Sequence, residues 1–86
     1  MTLGAYLRGH RLRLEWTQLD LSRAMATHGG VPFHPETLSR YERGTHCPGD
    51  PTLAVLLRVL HVPEVEHDQC FRLARDWRIA RSAPIR

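Results

Sequence analysis

Lysine is absent from this chain of 86 residues, and all 12 basic side chains are arginine. Arginine's planar fork suits phosphate and guanine, but a total lack of lysine is more simply explained by coding bias than by selection for binding. The net charge of +3 therefore permits a nucleic-acid partner without demonstrating one. Cysteine is scarce as well: Cys47 and Cys70 are too few for a disulfide framework and are expected to be two reduced thiols. The six histidines and two cysteines show no C-x-x-C or H-x-x-x-H spacing, so no metal and no other cofactor is expected. No serine, histidine or aspartate sits in a nucleophile-elbow context, and so small a domain has little room for a deep pocket, which argues against catalysis. The longest apolar run is Leu53 to Leu57, far short of the roughly 20 residues that cross a bilayer, and no signal-peptide block follows the first arginines. The expectation is a soluble, cytoplasmic chain without membrane association. Strand-like alternation, internal repeats and low-complexity blocks are also missing, which leaves an all-α fold.

What is present is a set of helical signals. With 42% apolar residues, one domain of this length can bury roughly 60% of its unfolded surface. Thr2 can cap a first helix from Leu3 to about Leu14, with Leu3, Leu7 and Leu14 on one face, while Gly4 and Gly9 weaken it by up to about 1 kcal/mol each. Thr17, with Asp20 three residues on, reads as a capping box opening a second helix to about His28, which Gly29-Gly30 ends. Val31 to His34 is a connector from which Phe33 can reach the core. Pro35 to Arg43 is a third helix of about two turns, opened by proline and closed by Gly44. Asp50-Pro51 reads as a cap and first-position pair for a fourth helix through Leu60, striped by Leu53, Leu56, Leu57 and Leu60. The fifth, from about Glu64 to Arg81, puts acids first and arginines last, in keeping with the helix dipole. Ser82-Ala83-Pro84 should end it and leave Ile85-Arg86 frayed. The core division expected is 1–62 with 63–86 as a C-terminal helix of the same domain.

The third helix is too short to be stable alone. Leu38 and Tyr41 fall on its inner side and leave Glu36, Thr37, Ser39, Arg40 and Arg43 outward. Two consecutive helices, the second short and polar outside, suggest a helix-turn-helix, whose second helix lies in the DNA major groove.

Read together, Leu7, Arg11, Trp16-Thr17-Gln18, Leu21-Ser22, the run Leu38 to Gly44, Pro48 and Leu53 to Leu60 resemble the phage-repressor and Cro family of regulators, the xenobiotic-response-element type. The likeness covers roughly residues 3 to 62, and Ser39-Arg40-Tyr41-Glu42-Arg43-Gly44 is its most specific part. It implies a compact five-helix lambda-repressor-like domain that binds double-stranded DNA as a transcriptional regulator, a repressor occupying a promoter. By position, His34, Pro35, Glu36, Thr37 and Arg40 would face base edges: Arg40 can bridge guanine O6 and N7, Glu36 can accept from a cytosine amino group and Thr37 can touch a thymine methyl. Thr17, Gln18, Arg23, Ser39, Arg43 and Thr45 would hold phosphates, with Gln18 alternatively bracing the recognition helix. Arg11 and Glu42 look like the family's internal ion pair.

Three departures from the family pattern bear on these expectations. The join between the second and third helices is about six residues longer than usual, so either the second helix gains more than a turn or the turn becomes a loop. Glu15 stands where the family usually has glycine. The loop Thr45-His46-Cys47 is neutral where it is often basic, which shifts nonspecific attraction toward Arg13, Arg23 and Arg43. Two further readings stay open. Glu36 and Arg40, four apart, could pair and leave Glu36 off the DNA. The fifth helix, with Phe71, Leu73 and Trp77 on adjacent faces, could bury one face internally and use another in a two-fold dimer that reads half-sites about 34 Å apart. A protein-interaction module on the same fold, antitoxin-like or polymerase-contacting, is the alternative function.

Overall fold

A computed structural model of the chain describes residues 1–30 and 32–82. Val31 of the connector and the expected frayed end at 83–86 lie outside the described residues. Local capping chemistry sets most of the helix ends. Thr2 Oγ1 accepts from the Ala5 N–H at 3.1 Å to open α1 (Leu3–Arg13). The Thr17–Asp20 capping box is complete, at 3.1 and 2.8 Å, and opens α2 (Gln18–His28). Pro35 sits in the first turn of α3 (Pro35–Arg43), and Gly44, at φ 79°, takes the left-handed conformation that ends it. α4 (Asp50–Val59) follows, then a 3₁₀ turn (Glu64–Glu66) and α5 (His67–Ser82). No strand occurs among the described residues.

Two details differ from the sequence expectation. Asp50 is not the cap of α4: Gly49 holds that position without a side-chain hydrogen bond, and the Asp50 carboxylate instead meets the Arg78 guanidinium at 3.0 Å. The expected start of the fifth helix, Glu64, begins a 3₁₀ turn, and regular α geometry starts three residues later. The position where glycine is usual, Glu15, is left-handed at φ 59°, which for a side-chain-bearing residue costs on the order of 1 kcal/mol.

The core is one cluster in which Leu3 and Leu7 of α1, Leu21 and Met25 of α2, Leu38 of α3, the α4 leucines, and Cys70 and Ala74 of α5 meet. α3 packs against both α1 and α2, while α4 bridges α2 and α5. Only Leu38 of α3 is fully buried, roughly 1.5–3 kcal/mol of burial, and Tyr41 packs half-buried against the same core. The position of this short helix depends on other pins. α1 crosses it closely enough at Gly4 that a Cβ there would lie 2.4 Å from the Tyr41 carbonyl oxygen and 2.5 Å from that of Glu42. Gly4 is thus a crossing point as well as a weak helix position.

Most of the lengthened join is connection. α2 continues through Ala26–His28, less than one further turn, and six residues separate it from α3 where a helix-turn-helix commonly has three or four. Gly29 ends α2 against α4, where a Cβ would come within 2.4 Å of Val55 Cγ1. The Ser22 hydroxyl donates to the Phe33 carbonyl, tying the exit of the loop back to α2. The half-buried Phe33 ring meets Tyr41 edge-on, with centroids 6.1 Å apart. A long connection is thereby fastened at both ends.

Candidate nucleic-acid interface

The site is built around the outward side of α3. Its anchor is Arg11, whose side chain is 8% exposed and faces that of Glu42, 7% exposed. Nε donates to Glu42 Oε2 at 2.7 Å, Nη2 to Oε1 at 2.9 Å, and Nη1 to the Trp16 carbonyl at 2.6 Å. Gln18 Nε2 donates to Glu42 Oε1 at 3.3 Å, so one carboxylate draws α1, the start of α2 and the end of α3 together. Only arginine's fork can satisfy two carboxylate oxygens and a carbonyl at once. Above this pair lies a shallow depression lined by Arg8, Gln18, Ser39 and Arg43. Three of those four were expected at phosphates. Arg8 was missed, although it stands one helical turn before Arg11 on α1.

On the N-terminal half of α3, His34 caps the helix with its own ring: Nδ1 accepts from the Glu36 N–H at 3.2 Å. Nδ1 accepts only when unprotonated, so the neutral ring carries its proton on Nε2, which stays a donor. Glu36 Oε1 lies 3.6 Å from Arg40 Nε and 3.3 Å from Arg43 Nη2, and all three side chains are about half exposed. Pro35 and Thr37 are half-buried beside them. The Arg40 carbonyl accepts from the Thr45 and His46 N–H groups at 3.1 and 3.4 Å, and the Thr45 hydroxyl lies 3.2 Å from it, so Thr45 helps close the helix. Thr17 likewise has its hydroxyl engaged in the α2 cap. That cap holds the Asp20 carboxyl below its usual range, chiefly through the Thr17 backbone N–H and then its hydroxyl. The stabilisation is present above the ordinary carboxylate pKa and fades as acid protonates the group. Arg23 is exposed on α2, and no hydrogen bond or ion pair joins it to the other site residues among those described.

Of the residues expected at a dimer face, Trp77 takes part in an internal clamp. Trp77 Nε1 donates to the Gly44 carbonyl at 3.0 Å, and the Arg81 guanidinium lies 4.7 Å from the indole centroid with Nη2 on the same carbonyl at 3.2 Å. Arg78 donates to the Pro48 carbonyl at 2.7 Å. The end of α5 therefore holds the loop that follows α3. Phe71 and Leu73 pack half-buried against the core, and Ile79 of the same helix is 59% exposed.

Among the described residues no group of three or more His, Cys, Asp or Glu side chains is arranged to hold a metal. Burial, with a smaller push from Glu66, raises the Cys70 thiol to about 11, and burial raises Cys47 too, so both are protonated at neutral pH. No helix among the described residues is long and apolar enough to cross a membrane.

Two helices joined by a fastened loop, the second braced from within and polar without, define a helix-turn-helix module. The chain belongs to the helix-turn-helix domain family, whose model matches residues 2–70, from the cap of α1 into α5. Its architecture is the five-helix, lambda-repressor-like form of that domain. No curated protein and no solved structure matches the chain.

Proposed function

We propose that this domain is a sequence-specific DNA-binding transcriptional regulator of the phage-repressor and Cro type, acting as a repressor, with α3 in the major groove. The observation that carries the reading is the bracing of α3. A two-turn helix with one fully buried residue is held by a buried ion pair, a glycine crossing and a pinned loop, while the Glu36 side of its first turn stays exposed. In this reading Arg40 bridges a guanine, Glu36 and Thr37 meet neighbouring base edges, and Pro35 gives apolar contact beside His34. Phosphates bind at Gln18, Ser39, Arg43 and Arg8 around the depression, with Thr17, Arg23 and Thr45 at its margins. The protein acts in the cytoplasm as a homodimer on DNA. The parts of Phe71 and Leu73 left open, with Ile79, are the surface that supports a two-fold contact.

Arg40→Ala should weaken binding to the preferred site by about 1–3 kcal/mol and relax the preference at one base pair. Titrating the variant against single-position substitutions of the site reads both effects. Uniform weakening across all sequences would make Arg40 a phosphate contact instead.

The alternative, a protein-interaction module, is favoured by one observation: Glu36 offsets the two arginines of α3, and the loop after Gly44 carries no arginine. A flat salt dependence of DNA binding would favour it over the regulator.

A further inference from the structure

α3 carries two carboxylates with opposite environments. Glu42 is enclosed against Arg11, whereas Glu36 is 53% exposed in the first turn, the part of a recognition helix that reaches deepest into a major groove. Glu36 Oε1 meets both of the outward arginines, 3.6 Å from Arg40 Nε and 3.3 Å from Arg43 Nη2. No hydrogen bond to its other oxygen, Oε2, occurs among the described residues. From this geometry we infer that Glu36 sets specificity by penalty, holding Arg40 and Arg43 back from phosphates until a base offers a donor to replace them. This inference rests on the DNA-binding reading above.

Exposed ion pairs of this kind are weak singly and screened by salt, so they restrain the arginines without locking them. When α3 enters a groove, Arg40 and Arg43 must leave the carboxylate to reach guanine or phosphate. Glu36 is then left as a bare negative charge between two rows of phosphates. Only a base donor in the major groove relieves it, namely the cytosine N4 amino group or the adenine N6 amino group. A site that puts an acceptor, guanine O6/N7 or thymine O4, at the edge Glu36 reaches leaves the carboxylate unpaired, and that sequence bears the cost. Specificity achieved by disfavouring competitors is as effective as specificity achieved by tighter contact. The neutral loop Thr45-His46-Cys47 acts in the same direction, since it adds no sequence-blind attraction.

The test compares Glu36→Ala with the unaltered protein on two probes, the site selected from a random duplex pool and a random duplex of equal length, over a range of salt. Alanine keeps the helix, and thermal unfolding of both proteins verifies it. Glu36→Ala should raise affinity for random DNA about three- to ten-fold. It should also steepen the log–log salt slope on that probe by one to two phosphate contacts. Renewed selection with the variant should lose the preference for a donor-bearing base at one position. Equal weakening on both probes, or an unchanged ratio between them, overturns the inference and leaves the DNA-binding reading standing. If the unaltered protein enriches no site at all, that reading falls and takes the inference with it.

Discussion

Gly4→Ala is expected to destabilise the domain by about 2–3 kcal/mol, although alanine is the better helix former by about 1 kcal/mol. The added Cβ meets backbone, the carbonyl oxygens of Tyr41 and Glu42 at 2.4 and 2.5 Å and the Glu42 carbonyl carbon at 2.9 Å. Backbone in a braced helix cannot swing aside as a flexible side-chain tip would, so α1 and α3 must separate. That separation also strains the Arg11–Glu42 pair, since Glu42 lies at the crossing. Gly9, on the same helix, provides the internal control. A Cβ there meets nothing within 4 Å, so Gly9→Ala should stabilise by up to about 1 kcal/mol. Urea unfolding of the two variants should thus move the midpoint in opposite directions. Equal stabilisation by both would mean that the α1–α3 crossing is looser than described.

Glu42→Ala should cost about 3–5 kcal/mol, a large share of the roughly 5–10 kcal/mol that holds a domain of this size folded. The loss comes less from the missing attraction than from the guanidinium left behind. Arg11 would remain 8% exposed with the Trp16 carbonyl as its described hydrogen-bond partner. Arg11→Met leaves the mirror problem, a buried carboxylate whose remaining described hydrogen bond is the one from Gln18 at 3.3 Å. Arg11→Lys should fare little better, because an ammonium cannot bridge two carboxylate oxygens and a carbonyl in one plane. The double variant Arg11→Met with Glu42→Leu should recover most of the stability, since no charge is then buried without a partner. A double-mutant cycle by urea unfolding measures this directly. Simple addition of the two single losses would remove the pair from its role as the anchor of α3.

The parts of the fold that were legible in the sequence are those set by local chemistry. Thr2, the Thr17–Asp20 box, Pro35 and Gly44 announce helix ends because each acts on backbone groups within a few residues. Asp50 shows the limit of that logic. It looked like a cap, but a partner 28 positions away, Arg78, competes for its carboxylate. Trp77 shows the same limit: the sequence left open whether its ring packs internally or against a second subunit, and its indole N–H finds the Gly44 carbonyl 33 positions earlier. The Arg11–Glu42 contact could be anticipated only through resemblance, since nothing local relates residues 31 apart. Gly4 carried a visible signal, a glycine inside a helix, but the sequence could not say which backbone approaches it. The join before α3 was legible as a length and not as a path, because Ser22 and Phe33 fix its course through a side-chain-to-backbone bond.

The outward residues of α3 are the part of the site that sequence and structure specify together. Leu38 and Tyr41 turn one side inward, and Glu36, Arg40 and Arg43 meet on the other. Whether that side reads bases is most directly tested by selecting bound duplexes from a random pool and measuring the affinity of the winners against salt. The account predicts a near-palindromic motif with half-sites about 34 Å apart and a log–log slope of several units. A pool that emerges without any motif, with affinity insensitive to salt, would contradict it.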